Sequence, residues 1–145
     1  MNFFGKHVYI LLPNTFINLN FKAIFSVLAY YKLSCENMLI VHDELDLLPG
    51  NIKIKLSNGH NGHNGLRNIV KNFKNKKFYR ICIGIGRPKY CKQISSYVLS
   101  NPTILDKIKI KFIIKYMINI TDNLIKDMNM SFLNKLLHKH SLLIK

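Results

Sequence analysis

Acidic residues are scarce in this sequence. Seven Asp and Glu stand against 22 Lys and Arg, so the 145-residue chain has a formal charge of +15 and an isoelectric point near 9.9. This excess excludes an acidic surface and favours a polyanionic partner, most simply RNA, because each neutralised phosphate releases counterions. The alternative is a general bias toward lysine, isoleucine and asparagine, and the two explanations are compatible.

Cysteine is also scarce, and long apolar runs are absent. The three cysteines form no Cys-x-x-Cys pair, and this odd number without a recognisable secretory leader predicts a reducing cytoplasm. His60 and His63 have no further ligand at finger-like spacing, so we expect neither a metal nor a cofactor. No uninterrupted run of about 18 apolar residues occurs, which argues against a membrane partner. One domain over residues 1–145 is expected.

The apolar pattern alternates between strand-like and helix-like segments. Strand-like runs occupy residues 7–12, 37–41, 52–56 and 79–85. Helical spacing occupies residues 18–32, 64–73, 94–99, 104–120 and 132–138. This alternation predicts an α/β fold in which the run at 7–12 is a buried strand. The lysines along 104–120 make an amphipathic helix, for which packing on the sheet is favoured over a membrane-surface role.

Two polar clusters follow predicted strands and are the most informative part of the sequence. His-Asp-Glu-Leu-Asp occupies 42–46, and Gly-His-Asn-Gly-His-Asn-Gly occupies 59–65, ahead of a predicted helix. Glycine lets the backbone approach a ligand closely, and the free N–H groups of a helix start attract oxygen atoms. Ligands of open α/β sheets bind beyond the carboxyl ends of the strands, so we expect a site there.

Four segments in this order resemble the bacterial peptidyl-tRNA hydrolase family. They are Pro-Asn-Thr-Phe-Ile-Asn-Leu at 13–19, the 42–46 cluster with Pro-Gly at 49–50, the glycine-rich heptapeptide with the leucine after it, and Arg-Ile-Cys-Ile-Gly-Ile-Gly-Arg-Pro at 80–88. The resemblance covers residues 8–100 closely and the C-terminal part in outline. It implies a mixed twisted sheet flanked by helices, of the phosphorylase/peptidyl-hydrolase type. It also implies hydrolysis of the ester between a peptide, or an N-blocked amino acid, and tRNA.

The resemblance assigns roles to individual residues. Asp43 is implied to orient a histidine base, and Phe16, Asn18 and Asn64 to bind the peptide and the tRNA end. The alternatives are a turn residue for Asp43, helix caps for the asparagines and core packing for Phe16. His63 is expected either to form a wall of the site or to support the loop. We expect Asp43, Asn18 and Asn64 to lie at one cleft.

Four cations flanking the expected cleft are candidates for contacts with tRNA phosphates, and solvated surface charge is the alternative for each. They are Lys55, Arg80, Arg87 and Lys89. Cys82 stands where the family often has a second arginine that faces tRNA, so one such charge is missing here. Peptidyl-tRNA is therefore the expected partner, and a monomer is the expected state.

The resemblance fails at the start of the chain. The family's Gly-Leu-Gly-Asn-Pro-Gly strand and its Thr-Arg-His-Asn segment, which supplies the histidine base, do not occur in the sequence. His7 has neither flanking motif, so the role is not carried over to it. We therefore expect an N-terminally truncated member of the family. The alternative function is a catalytically impaired tRNA-binding remnant, because loss of a general base slows hydrolysis by about 10²–10⁴-fold.

Overall fold

The structure is a computed structural model that describes residues 2–3, 5–74 and 76–127. The helices are α1 (Asn20–Tyr30), α2 (Asn64–Asn72), α3 (Ile94–Leu99) and α4 (Ile104–Asp127). The main sheet consists of β3 (Leu39–Glu44), β4 (Ile52–Ser57) and β5 (Phe78–Gly84). Its strand order is β3-β5-β4, with β5 at the centre. A mixed sheet flanked by helices confirms the predicted α/β fold.

Apart from the run at residues 7–12, the predicted elements that the structure describes agree with the observed ones except at their ends. A short 3₁₀ helix (Ile17–Leu19) precedes α1, and β3 begins later and ends later than predicted, so that it includes Asp43. The predicted helix at 132–138 lies outside the described residues. Ile113 of α4 is fully buried, which agrees with packing rather than with a membrane-surface role. Within the described ranges, none of the helices is long and apolar enough to cross a bilayer.

The prediction of a buried strand at residues 7–12 is wrong. In the part of the chain that the structure describes, strand β2 (Lys6–His7) pairs with β1 (Asn2–Phe3) alone, and residues 8–14 have no regular structure. Ile10 and Leu12 are 75% and 87% exposed. β-propensity produces a buried strand only where a neighbouring strand and a packed face receive it. Among the described residues, the main sheet offers β3, β4 and β5 alone.

The described residues divide into two compact units. The first contains those up to 40 and those at 56–80, and the second contains those at 41–55 and from 81 onward. Both units take a part of each strand of the main sheet, because the divisions fall within β3, β4 and β5. The expectation of one domain over residues 1–145 stays a prediction.

The core of the first unit is built on the apolar face of α2. Leu66, Ile69 and Val70 are buried together with Phe78 of β5. Partly buried side chains that pack against this cluster are Ile24, Met38, Ile40 and Phe73. Full burial of an aliphatic or aromatic side chain stabilises the fold by about 1.5–3 kcal/mol. The cluster therefore fixes how α2 lies, and with it which face of α2 is left to solvent.

In the second unit, the end of β5 lies against the turn that follows β3. The N–H groups of residues 84, 85 and 86 donate to the carbonyls of Asn51 (2.9 Å), Glu44 (3.1 Å) and Leu47 (2.8 Å). A Cβ atom on Gly84 would overlap the carbonyl oxygen of Leu48. The glycine therefore permits this close backbone contact, which holds the polar turn in one place.

Candidate functional site

Asn18 and Asn64, the two asparagines predicted to bind substrate, line one groove of the first unit. Asn18 lies in the 3₁₀ helix Ile17–Leu19, and Asn64 is the first residue of α2. The groove has a volume of about 460 Å³. Its lining residues are Ile17, Asn18, Asn64, Arg67, Asn68 and Lys71. Each amide offers both donors and acceptors, so the groove can bind a carbonyl, a hydroxyl or a base edge.

Three further residues of the groove were not among the predicted site residues, although their helical spacing is visible in the sequence. They are Arg67, Asn68 and Lys71. Positions 64, 67, 68 and 71 are spaced i, i+3, i+4 and i+7, which places them on one face of α2. The apolar positions 66, 69 and 70 occupy the buried face of the same helix. The repeat that predicts the buried face therefore also marks a polar face with two cations beside the two amides.

Gly65 lets the 3₁₀ helix approach α2. A Cβ atom at this position would lie 2.8 Å from Cγ1 of Ile17 and 3.0 Å from Cε1 of His63, which is closer than such atoms normally pack. A hydrogen bond adds a second tie, because the backbone N–H of Phe21 donates to Oδ1 of Asn68 at 3.1 Å. Asn18 and Asn64 share one groove because the first contact brings the 3₁₀ helix against α2, and the hydrogen bond holds the start of α1, which directly follows the 3₁₀ helix, to α2.

His63 is the N-cap of α2. Its backbone is extended, and its Nδ1 accepts a hydrogen bond from the N–H of Leu66 at 3.2 Å. The geometry therefore gives His63 a loop-supporting role, while its role as a wall of the site stays a prediction. The alternative of helix caps for the asparagines is wrong, because Asn64 is already inside α2 and Asn18 is inside the 3₁₀ helix. Both amides are left exposed to the groove.

The structure also contradicts the alternatives given for Phe16, as a core residue, and for Asp43, as a turn residue. The Phe16 side chain is 80% exposed, which contradicts core packing, and the stacking role stays a prediction. Asp43 lies inside β3 rather than in the turn and is half-buried. Because side chains alternate along a strand, Asp43 points to the face opposite His42 and Glu44. The expectation that Asp43 shares a cleft with the asparagines stays a prediction.

The structure corrects the prediction for Arg80. Its side chain is 1% exposed, and its guanidinium carbon lies 5.6 Å from the centroid of the Phe78 ring. A phosphate of a bound tRNA cannot reach a side chain buried in the sheet. The sequence pattern did not reveal this, because residues 80, 81 and 82 are all buried in a strand that is covered on both faces.

The other three candidate cations have contacts of their own at the surface. Nζ of Lys55 lies 3.0 Å from Oε2 of Glu44, and Nη2 of Arg87 lies 2.6 Å from Oδ1 of Asp46. The hydrogen bond to Asp46, and then its charge, raise the pKa of Arg87 above its ordinary value. Lys89 is exposed beside the ring of Tyr90 at 5.6 Å. Their contacts with phosphates stay predictions.

His42, Glu44 and Cys82 form a second polar cluster that sequence spacing did not reveal. One ligand atom from each residue lies within 4.8 Å of the other two. The signal in the sequence was the i, i+2 spacing of the histidine and glutamate on a strand, but the cysteine is 40 residues away on β5. These three are side chains of the described part that can hold a metal ion.

Comparison with known proteins assigns this chain to a family. The family model of peptidyl-tRNA hydrolase matches residues 1–141. A peptidyl-tRNA hydrolase of Buchnera aphidicola subsp. Acyrthosiphon pisum (strain 5A) is 47% identical over 129 residues, which are 87% of this chain and 73% of that protein. Another, from Haemophilus influenzae, is 41% identical over 104 residues, which are 71% of this chain and 54% of that protein.

Solved structures agree with this assignment. The crystal structure of peptidyl-tRNA hydrolase from Acinetobacter baumannii has a TM-score of 0.78 and 31% identity, and the match covers 85% of this chain and 62% of that one. A mutant of the same hydrolase gives a TM-score of 0.86 over 92% of this chain and 67% of that one. The chain thus spans less than two thirds of the first of these structures. The resemblance seen in four short motifs is confirmed along nearly the whole sequence, and the chain belongs to the peptidyl-tRNA hydrolase family.

Proposed function

We propose that this protein hydrolyses the ester bond between a peptide, or an N-blocked amino acid, and tRNA, and so returns free tRNA to translation. The observation that carries the proposal is the groove of the first unit. Asn18 and Asn64, selected from the motifs, line it together with the cations Arg67 and Lys71. A carbonyl with an adjoining phosphate chain needs this combination of amide donors and positive charge.

The groove supplies binding and orientation for the ester. Ester hydrolysis requires a deprotonated water and donors for the oxyanion that forms at the carbonyl carbon. The Asn64 amide lies at the positive end of α2, where an oxyanion is favoured. Arg67 and Lys71 follow on the next turns and attract phosphates of the acceptor strand. The exposed ring of Phe16 offers a surface for stacking the terminal base.

Asp43 has the role of a positioning acid in this proposal. Its carboxylate orients an imidazole base and favours the charged form of that base, as the acid of a catalytic triad does. The family's histidine segment does not occur in the sequence, so this role is tested in a longer chain that carries that segment. The proposal further includes a monomer that acts in the cytoplasm and hydrolyses the ester without a cofactor or metal ion in the reaction.

Two measurements on the purified chain test the proposal. The first is release of an N-blocked amino acid from its tRNA, and the second is a filter-binding titration with tRNA at several salt concentrations. We expect turnover above the uncatalysed rate and binding that weakens steeply with salt. In a longer chain that carries the family's Thr-Arg-His-Asn segment, Asp43→Asn is expected to slow release while leaving tRNA affinity unchanged. Absence of tRNA binding would contradict the proposal.

The alternative of a tRNA-binding remnant is not favoured, because the matched relatives are named as hydrolases. It makes a different prediction in the same experiment. Salt-sensitive binding with release at the uncatalysed rate would support the remnant over the enzyme. A longer chain that carries the family's Thr-Arg-His-Asn segment is the matched comparison, and hydrolysis by that chain alone would assign the rate to the histidine.

A further inference from the structure

His42, Glu44 and Cys82 lie together on one face of the main sheet, within the second unit. His42 and Glu44 are two residues apart on β3, so their side chains point to the same face. Cys82 lies on the neighbouring strand β5, and its Sγ is 3.4 Å from Nε2 of His42. Glu44 and Cys82 are buried, and His42 is half-buried. This cluster takes no part in the hydrolysis proposed for the protein.

The backbone orients the His42 ring toward the thiol. Nδ1 lies 2.6 Å from the carbonyl oxygen of Asp43. A carbonyl can only accept a hydrogen bond, so Nδ1 is the ring nitrogen that carries the proton in the neutral imidazole. Nε2 then directs its lone pair toward Cys82. Histidines that bind metals are fixed in the same way, because they donate their other N–H to a carbonyl or a carboxylate.

We infer that His42, Glu44 and Cys82 form a binding site for Zn²⁺. Sulfur, nitrogen and carboxylate oxygen are the donors that Zn²⁺ takes, and the thiolate disfavours Mg²⁺ and Ca²⁺. Zn–S and Zn–N bonds of the usual lengths at a tetrahedral angle hold the two donor atoms roughly 3.5 Å apart. The observed separation of 3.4 Å matches this value without movement of the strands.

The charges of the site are balanced by one proton release. Zn²⁺ displaces the thiol proton of Cys82 to solvent, and the resulting thiolate and the Glu44 carboxylate neutralise the two positive charges. His42 binds as the neutral imidazole, and water takes the fourth position. The bound ion joins β3 to β5 and stabilises the sheet, independently of whether the protein hydrolyses peptidyl-tRNA.

Lys55 is the competing cation at this site. Its Nζ lies 3.0 Å from Oε2 of Glu44, and the second carboxylate oxygen remains to bind the metal. Lys55 is partly exposed, and such ion pairs contribute up to about 1 kcal/mol. Lys55→Met is therefore expected to raise Zn²⁺ affinity by up to about fivefold, since 1.4 kcal/mol corresponds to a tenfold change in affinity.

The test is direct metal binding by the purified chain. We expect one Zn²⁺ per chain after dialysis, a rise of several degrees in the unfolding midpoint, and a thiolate-to-metal charge-transfer band when Co²⁺ replaces Zn²⁺. Cys82→Ser and His42→Gln are each expected to weaken Zn²⁺ binding more than about 100-fold, since even outer partners of a metal site contribute 10–100-fold. Cys91→Ser, at an exposed cysteine outside the cluster, is the matched control.

Three outcomes measured on the unchanged chain or on Cys82→Ser would overturn the inference. They are binding of less than half an equivalent of Zn²⁺ by the unchanged chain, absence of the Co²⁺ thiolate band, and equal Zn²⁺ affinity in Cys82→Ser. The Co²⁺ spectrum of the unchanged chain decides the question even where a variant fails to fold. Loss of binding in Cys91→Ser as large as in Cys82→Ser would place the metal elsewhere and would equally reject the site.

Discussion

The groove of the first unit and the end of β5 in the second unit each depend on one glycine. An added methyl group would meet different kinds of atoms at the two positions. A methyl group on Gly65 would meet side-chain atoms of Ile17 and His63, whereas one on Gly84 would meet the backbone of Leu47 and Leu48. Side chains can rotate away, but the backbone of Leu47 and Leu48 cannot, because its carbonyls accept hydrogen bonds from the N–H groups of Gly86 (2.8 Å) and Asn51 (3.0 Å). The region that carries the substrate amides is therefore adjustable, and the region that carries the acid and the polar turn is rigid.

The largest effect is expected from Gly84→Ala. The added methyl overlaps a carbonyl that hydrogen bonds hold in place, and overpacking of this kind destabilises a protein by about 3 kcal/mol. Urea unfolding followed by circular dichroism measures the loss. Gly59→Ala is the matched control, because nothing lies closer than 3.8 Å to the added atom there. Equal midpoints for the two variants would contradict the rigidity of this region.

Asn64→Ala is expected to have the next largest effect, on tRNA affinity rather than on stability. The amide is exposed in the groove and its removal leaves α2 intact. Loss of a hydrogen bond to substrate of about 1–1.5 kcal/mol corresponds to roughly tenfold weaker binding. Asn101→Ala, at an exposed asparagine outside the groove, is the control for the filter-binding titration. An unchanged affinity in Asn64→Ala would remove Asn64 from the proposed site.

Gly65→Ala is expected to change binding without a large loss of stability. Alanine favours the helix by about 1 kcal/mol, which offsets the contact with Ile17 once that side chain rotates. The 3₁₀ helix then sits farther from α2, so tRNA affinity falls a few-fold while the unfolding midpoint moves little. A stability loss as large as that of Gly84→Ala would break the contrast between the two regions.

Lys71→Ala is expected to have the smallest effect. A lysine that contacts one phosphate contributes about one unit to the slope of log affinity against log salt. The titration should therefore show a slope lower by about one, with the hydrolysis rate at saturating tRNA unchanged. Lys92→Ala removes the same charge from an exposed position outside the groove and should leave the slope unchanged. Identical slopes for the two variants would argue against a phosphate contact at Lys71.

Two apolar runs show how far the sequence alone predicts the fold. Residues 79–85 and 7–12 have similar β-branched and apolar composition, and both were predicted as strands. The first is the centre of the sheet, because β3 and β4 complete its ladders on either side. The second is exposed. Strand propensity depends on local composition, whereas burial depends on neighbouring strands that the local composition does not reveal. Helices were predicted more closely because each apolar face follows the helix's own period, and that face is buried in α2 and partly buried in α1.

The residues of the candidate site were also predictable to different degrees, because the sequence shows local patterns but not which strands become neighbours. Motif resemblance selected Asn18 and Asn64 in advance, and the structure brings them to one groove. The prediction for Arg80 was wrong because the sequence does not show whether both faces of a central strand are covered. Without that knowledge, a charged residue in the strand cannot be told from a surface cation. His42, Glu44 and Cys82 were missed because strand order, rather than spacing along the chain, makes neighbours of β3 and β5.

The glycine-rich loop also determines how readily the asparagines near the groove are lost by deamidation. In an Asn-Gly step, the glycine nitrogen can attack the asparagine side-chain carbonyl and expel ammonia, provided that the backbone can leave its present conformation. Asn61-Gly62 is an exposed turn with positive φ at both residues, whereas Asn64-Gly65 is held in the first turn of α2 with its glycine buried. Ageing at mildly alkaline pH should therefore deamidate Asn61 well before Asn64, as peptide mass spectrometry would show. The amide placed in the groove is the one that the helix protects from this reaction.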